Sequence, residues 1–370
     1  GSRFQAVFMR SSSYMPSHGL LALSWLLQAS CLRPAASHRD AQVPRGARAG
    51  DRLLPSAHGK YAFVMLAYDP PGMPPTSLWG ALAMASAVQK LSAYPLVLLT
   101  NTVHFPDGTP VAPALRRLNV RVRPIAPVPV PQSLKEEHRI SPGCQERGQL
   151  GCAAEYLKLQ VWRLTEYEKL IWMDTDAILT DSVDGLFHRQ GTWAQQDNWD
   201  CGSALSWSTR FSPTLSWLVD VYQRRTGVGL PRRQSSGVCS GLVLLEPSEA
   251  AYGDLIDFMS TLRSAPNGDQ EIIEMVFREV RQEPVQLLDV STASFGTCLG
   301  KGFLSTRFPA FVHKSDRDNV CFRPTASRAE CEDHPLGKYW HDHFCHAVAT
   351  ANFTDSRISG FCSPWQGPPF

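Results

Sequence analysis

The chain has 370 residues, enough for two domains, although one α/β core often runs past roughly 200 residues, so one large domain with appendages is expected. A hydrophobic fraction of 43% and a charged fraction of 19% fit a globular protein. A formal net charge of +2 gives no electrostatic case for binding a polyanion, so nucleic acid is excluded as an expected partner.

The chain opens on Gly1, as a fragment or processed form does, and its first apolar run is Gly19 to Cys31 (GLLALSWLLQASC). Arg10 and His18 precede it and Ala35, Ala36 and Ser37 follow, the layout of a signal-peptide core, while its length is short for a membrane span. With a start at Met9 or Met15 the run is a secretory signal, or a signal anchor tethering the chain to a membrane if its flanks extend it. The other reading is an ordinary amphipathic helix in a cytoplasmic protein. Residues 37–59, rich in Arg, Ala, Pro and Ser, read as a flexible stem. Residues 1–59 are thus set apart from a folded region starting near Lys60.

Tyr61–Tyr68 (YAFVMLAY) reads as a strand ending in a Pro-rich loop, Ser77–Leu91 shows helical apolar spacing, and Tyr94–Thr100 is a second strand. Leu115–Leu118 closes a second helix before a third strand, Val120–Val128. Alternating strands and helices imply a Rossmann-like half with parallel strands and right-handed crossovers. No G-x-G-x-x-G follows the first strand, so a nicotinamide or flavin cofactor has no support. Residues 129–151 read as a long surface loop, and Glu155–Leu164 as a helix whose Lys158 either neutralises a phosphate or is simply solvated.

Tyr167–Phe187 (YEKLIWMDTDAILTDSVDGLF) is the centre of the chain. Its run Leu170–Met173 reads as an interior strand ending in Asp174 and Asp176, at the strand end where α/β sheets bind ligands. Side chains at i and i+2 of an extended segment share a face, so the two carboxylates can converge on a hard cation such as Mg²⁺ or Mn²⁺. Solvated aspartates at a strand-to-loop junction are the alternative.

Further on, SGVCSGLVLLEPS (236–248) combines small residues with a strand, and suits either close backbone approach to a bound group or a bulge. PNGDQEIIEMVF (266–277) is a turn followed by a helix that Asp269 either caps or leads with a functional carboxylate. FPAFVH (308–313) is a short strand ending in His313, followed by Lys314. Residues 318–370 form a Cys/His-rich extension holding Cys321, Cys331, Cys345 and Cys362 beside His334, His341, His343 and His346. With no C-x-x-C spacing, disulfides are expected ahead of a zinc site, with Cys144–Cys152 and Cys321–Cys331 as local pairs. Asn352-Phe353-Thr354 is a glycosylation sequon, in keeping with a secretory route through the ER or Golgi lumen.

Taken together, YLKLQVW, the Asp-Thr-Asp strand, SGLVLLEPS, NGDQEI and FVH occur in the order and approximate spacing of the glycogenin-like glycosyltransferases of family 8, which the chain resembles over residues 61–314. The resemblance implies a GT-A fold over residues 60–317: a Rossmann-like, mostly parallel sheet flanked by helices. It implies transfer of a hexosyl group from a UDP-sugar to a hydroxyl of a glycan or protein, with retention at the anomeric carbon. Asp174 and Asp176 resemble the family's D-x-D pair, with Thr175 between them near the donor, and His313 its third metal ligand. Two carboxylates and an imidazole suit Mn²⁺ better than Ca²⁺, with Mg²⁺ as the alternative. Lys158 resembles the lysine near the donor sugar and diphosphate, and Asp269 with Gln270 the pair that orients the sugars. Ala67 and Tyr68 fall where the nucleoside is contacted. Ser240 and Gly241 match the N-S-G turn, but Cys239 replaces its Asn. K-P-W is absent, which leaves Lys314 or Lys338 to serve the phosphates. Two other classes remain open: a haloacid-dehalogenase-like phosphatase, from D-T-D-A-I, and an inactive relative that binds UDP-sugar without turnover.

Overall fold

Ten short strands are recorded in the computed structural model, which describes residues 59–69, 75–135, 154–197, 237–262, 268–296, 308–313, 336–353, 358 and 361–362. In chain order they are β1 (Tyr61–Ala67), β2 (Leu96–Thr100), β3 (Val120–Arg123), β4 (Lys169–Met173), β5 (Ala177–Leu179), β6 (Trp193–Gln196), β7 (Val238–Leu245), β8 (Gln286–Leu287), β9 (Ala293–Phe295) and β10 (Phe311–His313). Seven of them form the central sheet in the order β3-β2-β1-β4-β7-β6-β8. Neighbours are parallel except where β7 runs antiparallel to β4 and β6. The chain therefore steps outward from β1 to β3 and returns to the opposite side of β1, which makes the crevice at the carboxyl ends of β1 and β4 the switch point of the sheet.

Two-residue alternation divides the core into layers. Phe63, Met65 and Ala67 of β1 face one apolar cluster while Ala62 and Val64 face another. The first face is covered by α1 (Thr76–Leu91) and, through the last helix, by the chain's C-terminal part. The second is covered by a 3₁₀ helix (Ala154–Arg163) together with α3 (Glu249–Thr261) and α4 (Asp269–Met275), while the short α2 (Val111–Arg116) precedes β3. The last helix, α5 (Gly337–Ala351), lies along α1. All eleven residues from Leu78 to Val88 are therefore buried, which is why α1 has Ala, Leu and Met around its whole circumference. Asp69, just past β1, starts this helix: its carboxylate accepts hydrogen bonds from the amides of Ser77 (2.9 Å) and Leu78 (3.1 Å).

Two expectations are corrected. The third strand ends at Arg123 instead of reaching Val128, because Pro124, Pro127 and Pro129 remove ladder donors and break pairing. The segment carrying Lys158 is a 3₁₀ helix, with three residues per turn rather than an α-helical 3.6. In the C-terminal region Cys345 and Cys362 form a disulfide, tying the middle of α5 to residues 361–362. The expected pairs Cys144–Cys152 and Cys321–Cys331 lie outside the described residues. Among the described residues no helix is long and apolar enough to cross a membrane, and Gly19–Cys31 lies outside them.

Candidate active site at the switch point

Asp174 follows the last residue of β4, and Asp176 immediately precedes β5. The intervening Asp-Thr-Asp is a turn, not the extended segment expected from i, i+2 spacing. The turn is pressed in place by α1. A Cβ on Gly80 would stand 1.9 Å from the carbonyl oxygen of Thr175, so only glycine lets the helix backbone meet the turn directly. The turn also decides what Asp176 faces. β5 pairs antiparallel with β10, setting Ala177 opposite His313, and His313 Nε2 lies 3.3 Å from Asp176 Oδ1 and 3.8 Å from Asp174 Oδ2. Ligand atoms of Asp174, Asp176 and His313 all lie within 4.8 Å of one another. Hard carboxylate oxygens with one imidazole nitrogen are a donor set that fits Mn²⁺ or Mg²⁺. Burial opposes protonation of His313, but the Asp176 carboxylate and the Cys239 sulfur outweigh it and hold its pKa well above the usual value.

Behind this cluster Lys158 reaches across from the 3₁₀ helix. Its ammonium lies 2.9 Å from Asp174 Oδ1, 3.4 Å from Ser240 Oγ, 3.6 Å from Asp269 Oδ1 and 5.6 Å from the centre of the Trp172 ring. Desolvation favours the neutral amine, yet Asp174 and Asp269 overcome it, so its pKa is raised and the lysine stays charged. Asp269, the first residue of α4, is only 3% exposed. Burial pushes its carboxyl up and the ammonium pulls it back. Among the described residues its Oδ2 is buried without a hydrogen-bond partner, an acceptor held ready in a small cavity lined by Lys158, Trp162, Trp172 and Ser240. Gly268 turns the chain into α4 at φ +64°, and a Cβ there would lie 2.4 Å from the Glu155 carboxyl carbon.

Ser240 and Gly241 enter through an irregularity in β7: opposite β6 the partner jumps from Val243 (of Ala194) to Cys239 (of Gln195), so the intervening residues bulge out of the ladder. The bulge sends Ser240 toward Lys158 and leaves Gly241 against His313, while Gly241 O accepts the Asp174 amide at 2.9 Å. Gln270 is half-buried beside Asp269, and the register Val64 to Trp172 brings Ala67 and Tyr68 level with the Asp-Thr-Asp turn. Lys338 is engaged by Asp342 at 2.9 Å on its own helix, and Lys314 lies outside the described residues. Three further participants carry no signal in the sequence. Trp172 donates its indole N–H to Asp174 Oδ1 at 3.0 Å, Gly80 seats the turn, and Gln195 sits beneath the bulge. Each acts through a contact between segments distant in the chain or from within a strand read as plain core.

No family profile matches the chain. It is 25% identical over 216 residues to galactinol synthase 4 of Arabidopsis thaliana, covering 56% of this chain and 59% of that protein. It is 26% identical over 208 residues to galactinol synthase 2 of Ajuga reptans (54% and 64%) and 27% identical over 139 residues to glycogenin-1 of Caenorhabditis elegans (38% and 24%). The chain thus spans less than two thirds of the length of these curated relatives. Among solved structures it is similar in fold to the galactosyltransferase LgtC in complex with donor and acceptor sugar analogs. The TM-score is 0.50 at 12% identity, over 81% of this chain and 99% of that one. With its motifs in that order on a GT-A sheet, the chain is similar to galactinol synthases and glycogenin in sequence and to a galactosyltransferase in fold, the likeness expected of a glycogenin-like nucleotide-sugar transferase.

Proposed function

We propose that this protein transfers a hexosyl unit from a UDP-sugar to a hydroxyl of a glycan or protein acceptor, with Mn²⁺, or Mg²⁺ in its stead, held by Asp174, Asp176 and His313. The observation carrying this reading is the convergence of those three side chains within 4.8 Å, beside a buried lysine, at the switch point of the sheet. A divalent ion bound there offsets the negative charge that grows on the departing diphosphate. Lys158, kept charged by its acidic neighbours, adds fixed positive charge that the transition state uses more than the ground state does. Asp269 offers a buried acceptor to a sugar hydroxyl with Gln270 beside it, Ser240 and Gly241 bring backbone close to the donor, and Ala67, Tyr68 and Thr175 border the nucleotide. Retention follows if the acceptor oxygen attacks the anomeric carbon on the face the phosphate leaves: the C–O bond to UDP breaks and the hydroxyl proton passes to a phosphate oxygen.

The test is UDP release from a panel of UDP-sugars, with Asp176→Asn as the control. Release that depends on Mn²⁺ and falls at least about 100-fold in the variant is expected, the scale of losing a major electrostatic contributor. Release indifferent to both ion and substitution sinks the reading. Cys239, in place of the family's Asn, favours one other outcome, a protein that binds UDP and Mn²⁺ without consuming donor, and the same assay separates the two. The phosphatase alternative loses its footing because the Asp-Thr-Asp strand is the fourth of a GT-A sheet. We place the protein in the secretory pathway on the strength of Gly19–Cys31 and of Asn352, exposed at the end of α5. Peptide-N-glycosidase treatment of the secreted or lumenal protein should lower its mass, and an Asn352→Gln variant should be unaffected.

A further inference from the structure

Gln195 has no accessible surface, yet among the described residues neither its Oε1 nor its Nε2 meets a hydrogen-bond partner. Burying both ends of a carboxamide unpaired forfeits the hydration of a donor and an acceptor, so a leucine would serve the core better unless something satisfies the amide. Its place in the fold suggests what does. Gln195 lies opposite Cys239, under the bulge of β7. A Cβ on Gly241 would stand 2.9 Å from Gln195 Oε1 and 2.4 Å from His313 Nδ1. Both atoms thus border the space that the missing side chain leaves, no more than 5.3 Å apart, the sum of those distances.

The imidazole presents Nε2 to Asp176 and turns Nδ1 toward Cys239 Sγ at 3.6 Å. Thiol sulfur is a weak acceptor. An imidazole that gives its Nε2 lone pair to a metal ion must keep its proton on Nδ1, and metal-binding histidines donate that N–H in a hydrogen bond to a firm acceptor that fixes ring and tautomer. We infer that Gln195 is the positioning residue of His313: its carboxamide oxygen accepts a hydrogen bond from Nδ1–H when Nε2 takes the ion, and its amide group turns to the Cys239 sulfur. The amide is orphaned because it serves the ion-bound state. Cys239 stands where the family carries Asn, and Gln195 returns a carboxamide to the same bulge from the adjacent strand. The inference rests on the metal reading of the site and assigns it a residue on β6.

The experiment titrates Mn²⁺ into the full chain without nucleotide, following free ion by electron paramagnetic resonance, and records the ion-free melting temperature of each variant. Gln195→Leu, close to isosteric, is expected to bind Mn²⁺ on the order of 10-fold more weakly, with an ion-free Tm equal to or above that of the parent. Gln195→Glu, which keeps an acceptor oxygen, should bind at least as tightly as the parent. The inference is overturned if Gln195→Leu keeps full affinity, if its ion-free Tm drops by several degrees, or if both variants weaken alike. Asp176→Asn separates this failure from that of the site. If Asp176→Asn loses Mn²⁺ and Gln195→Leu does not, only the role of Gln195 falls, whereas parental affinity in Asp176→Asn removes the metal site and this inference together.

Discussion

Lys158 is the residue on which the charge balance of the site turns. One ammonium serves Asp174 and Asp269, and among the described ion pairs it is the only cation within 4 Å of Asp269. Removing it strands a carboxylate that is 3% exposed, and breaking a buried pair from one side costs about 3 kcal/mol. Lys158→Met should lower the urea midpoint of the ion-free protein accordingly. Adding Asp269→Asn to the same chain should recover much of the loss, because a neutral amide needs no counter-charge. A single variant as stable as the parent, or a double variant no better than the single, would show that the pair carries little. The acidic pair and His313 could be picked out in the sequence because they close apolar runs where core would otherwise continue, whereas Lys158, set between Leu157 and Leu159, stood out only through the family resemblance. Gln195 was not: between Ala194 and Gln196 a glutamine on a short strand looks like an outward-facing polar residue. Only the bulge in the neighbouring strand turns it inward.

At the level of elements, the parallel strands and α1 could be read because their signal is local, in apolar runs such as AFVMLA, LVLL and LIWM bounded by polar residues or Pro. The three-stranded sheet could not. β5, β9 and β10 have three residues each, too few to show a period, and β5 meets β10 across more than a hundred residues of chain. Yet this sheet brings His313 to Asp176, so the metal cluster depends on the least legible pairing in the fold. Its other support is the seat that α1 offers the Asp-Thr-Asp turn. Gly80→Ala sets a methyl 1.9 Å from the Thr175 carbonyl oxygen, and since both sides are backbone the turn or the helix must move. Overpacking of this kind costs roughly 1 to 3 kcal/mol, and a displaced turn carries two of the three ligand groups with it. A lowered Tm together with weaker Mn²⁺ binding is expected. Gly253→Ala in α3, where a Cβ meets nothing within 4 Å, is the control: it should be neutral or stabilise by about 0.5 to 1 kcal/mol. If the two glycines respond alike, helix propensity and not the seat accounts for the effect.

Across the folded unit, the C-terminal helix α5 packs along α1, the helix that seats the Asp-Thr-Asp turn. Phe344 packs edge-on to Trp79 at 5.9 Å, His343 Nδ1 meets Ser86 Oγ at 3.0 Å, and Arg117 donates to Ala351 O at 2.9 Å. His343 makes this packing acid-sensitive. Burial, with Lys90 and His346 nearby and only Asp342 opposing, lowers its pKa from 6.5 to about 4. The folded chain therefore keeps His343 neutral while the unfolded chain takes up a proton, and stability falls as pH drops from about 6.5 to about 4. For a side chain 3% exposed the loss is on the order of 3 kcal/mol at most. His313 does not blur this window. Its folded pKa is raised, so its contribution is complete below the unfolded value and is lost only at higher pH. Unfolding by urea at pH 7 and at pH 4.5 should show the parent losing stability and His343→Gln, which keeps a partner for Ser86 without titrating, losing distinctly less. Parallel pH profiles for the two would place the acid sensitivity elsewhere and leave the α1–α5 packing as apolar contact alone.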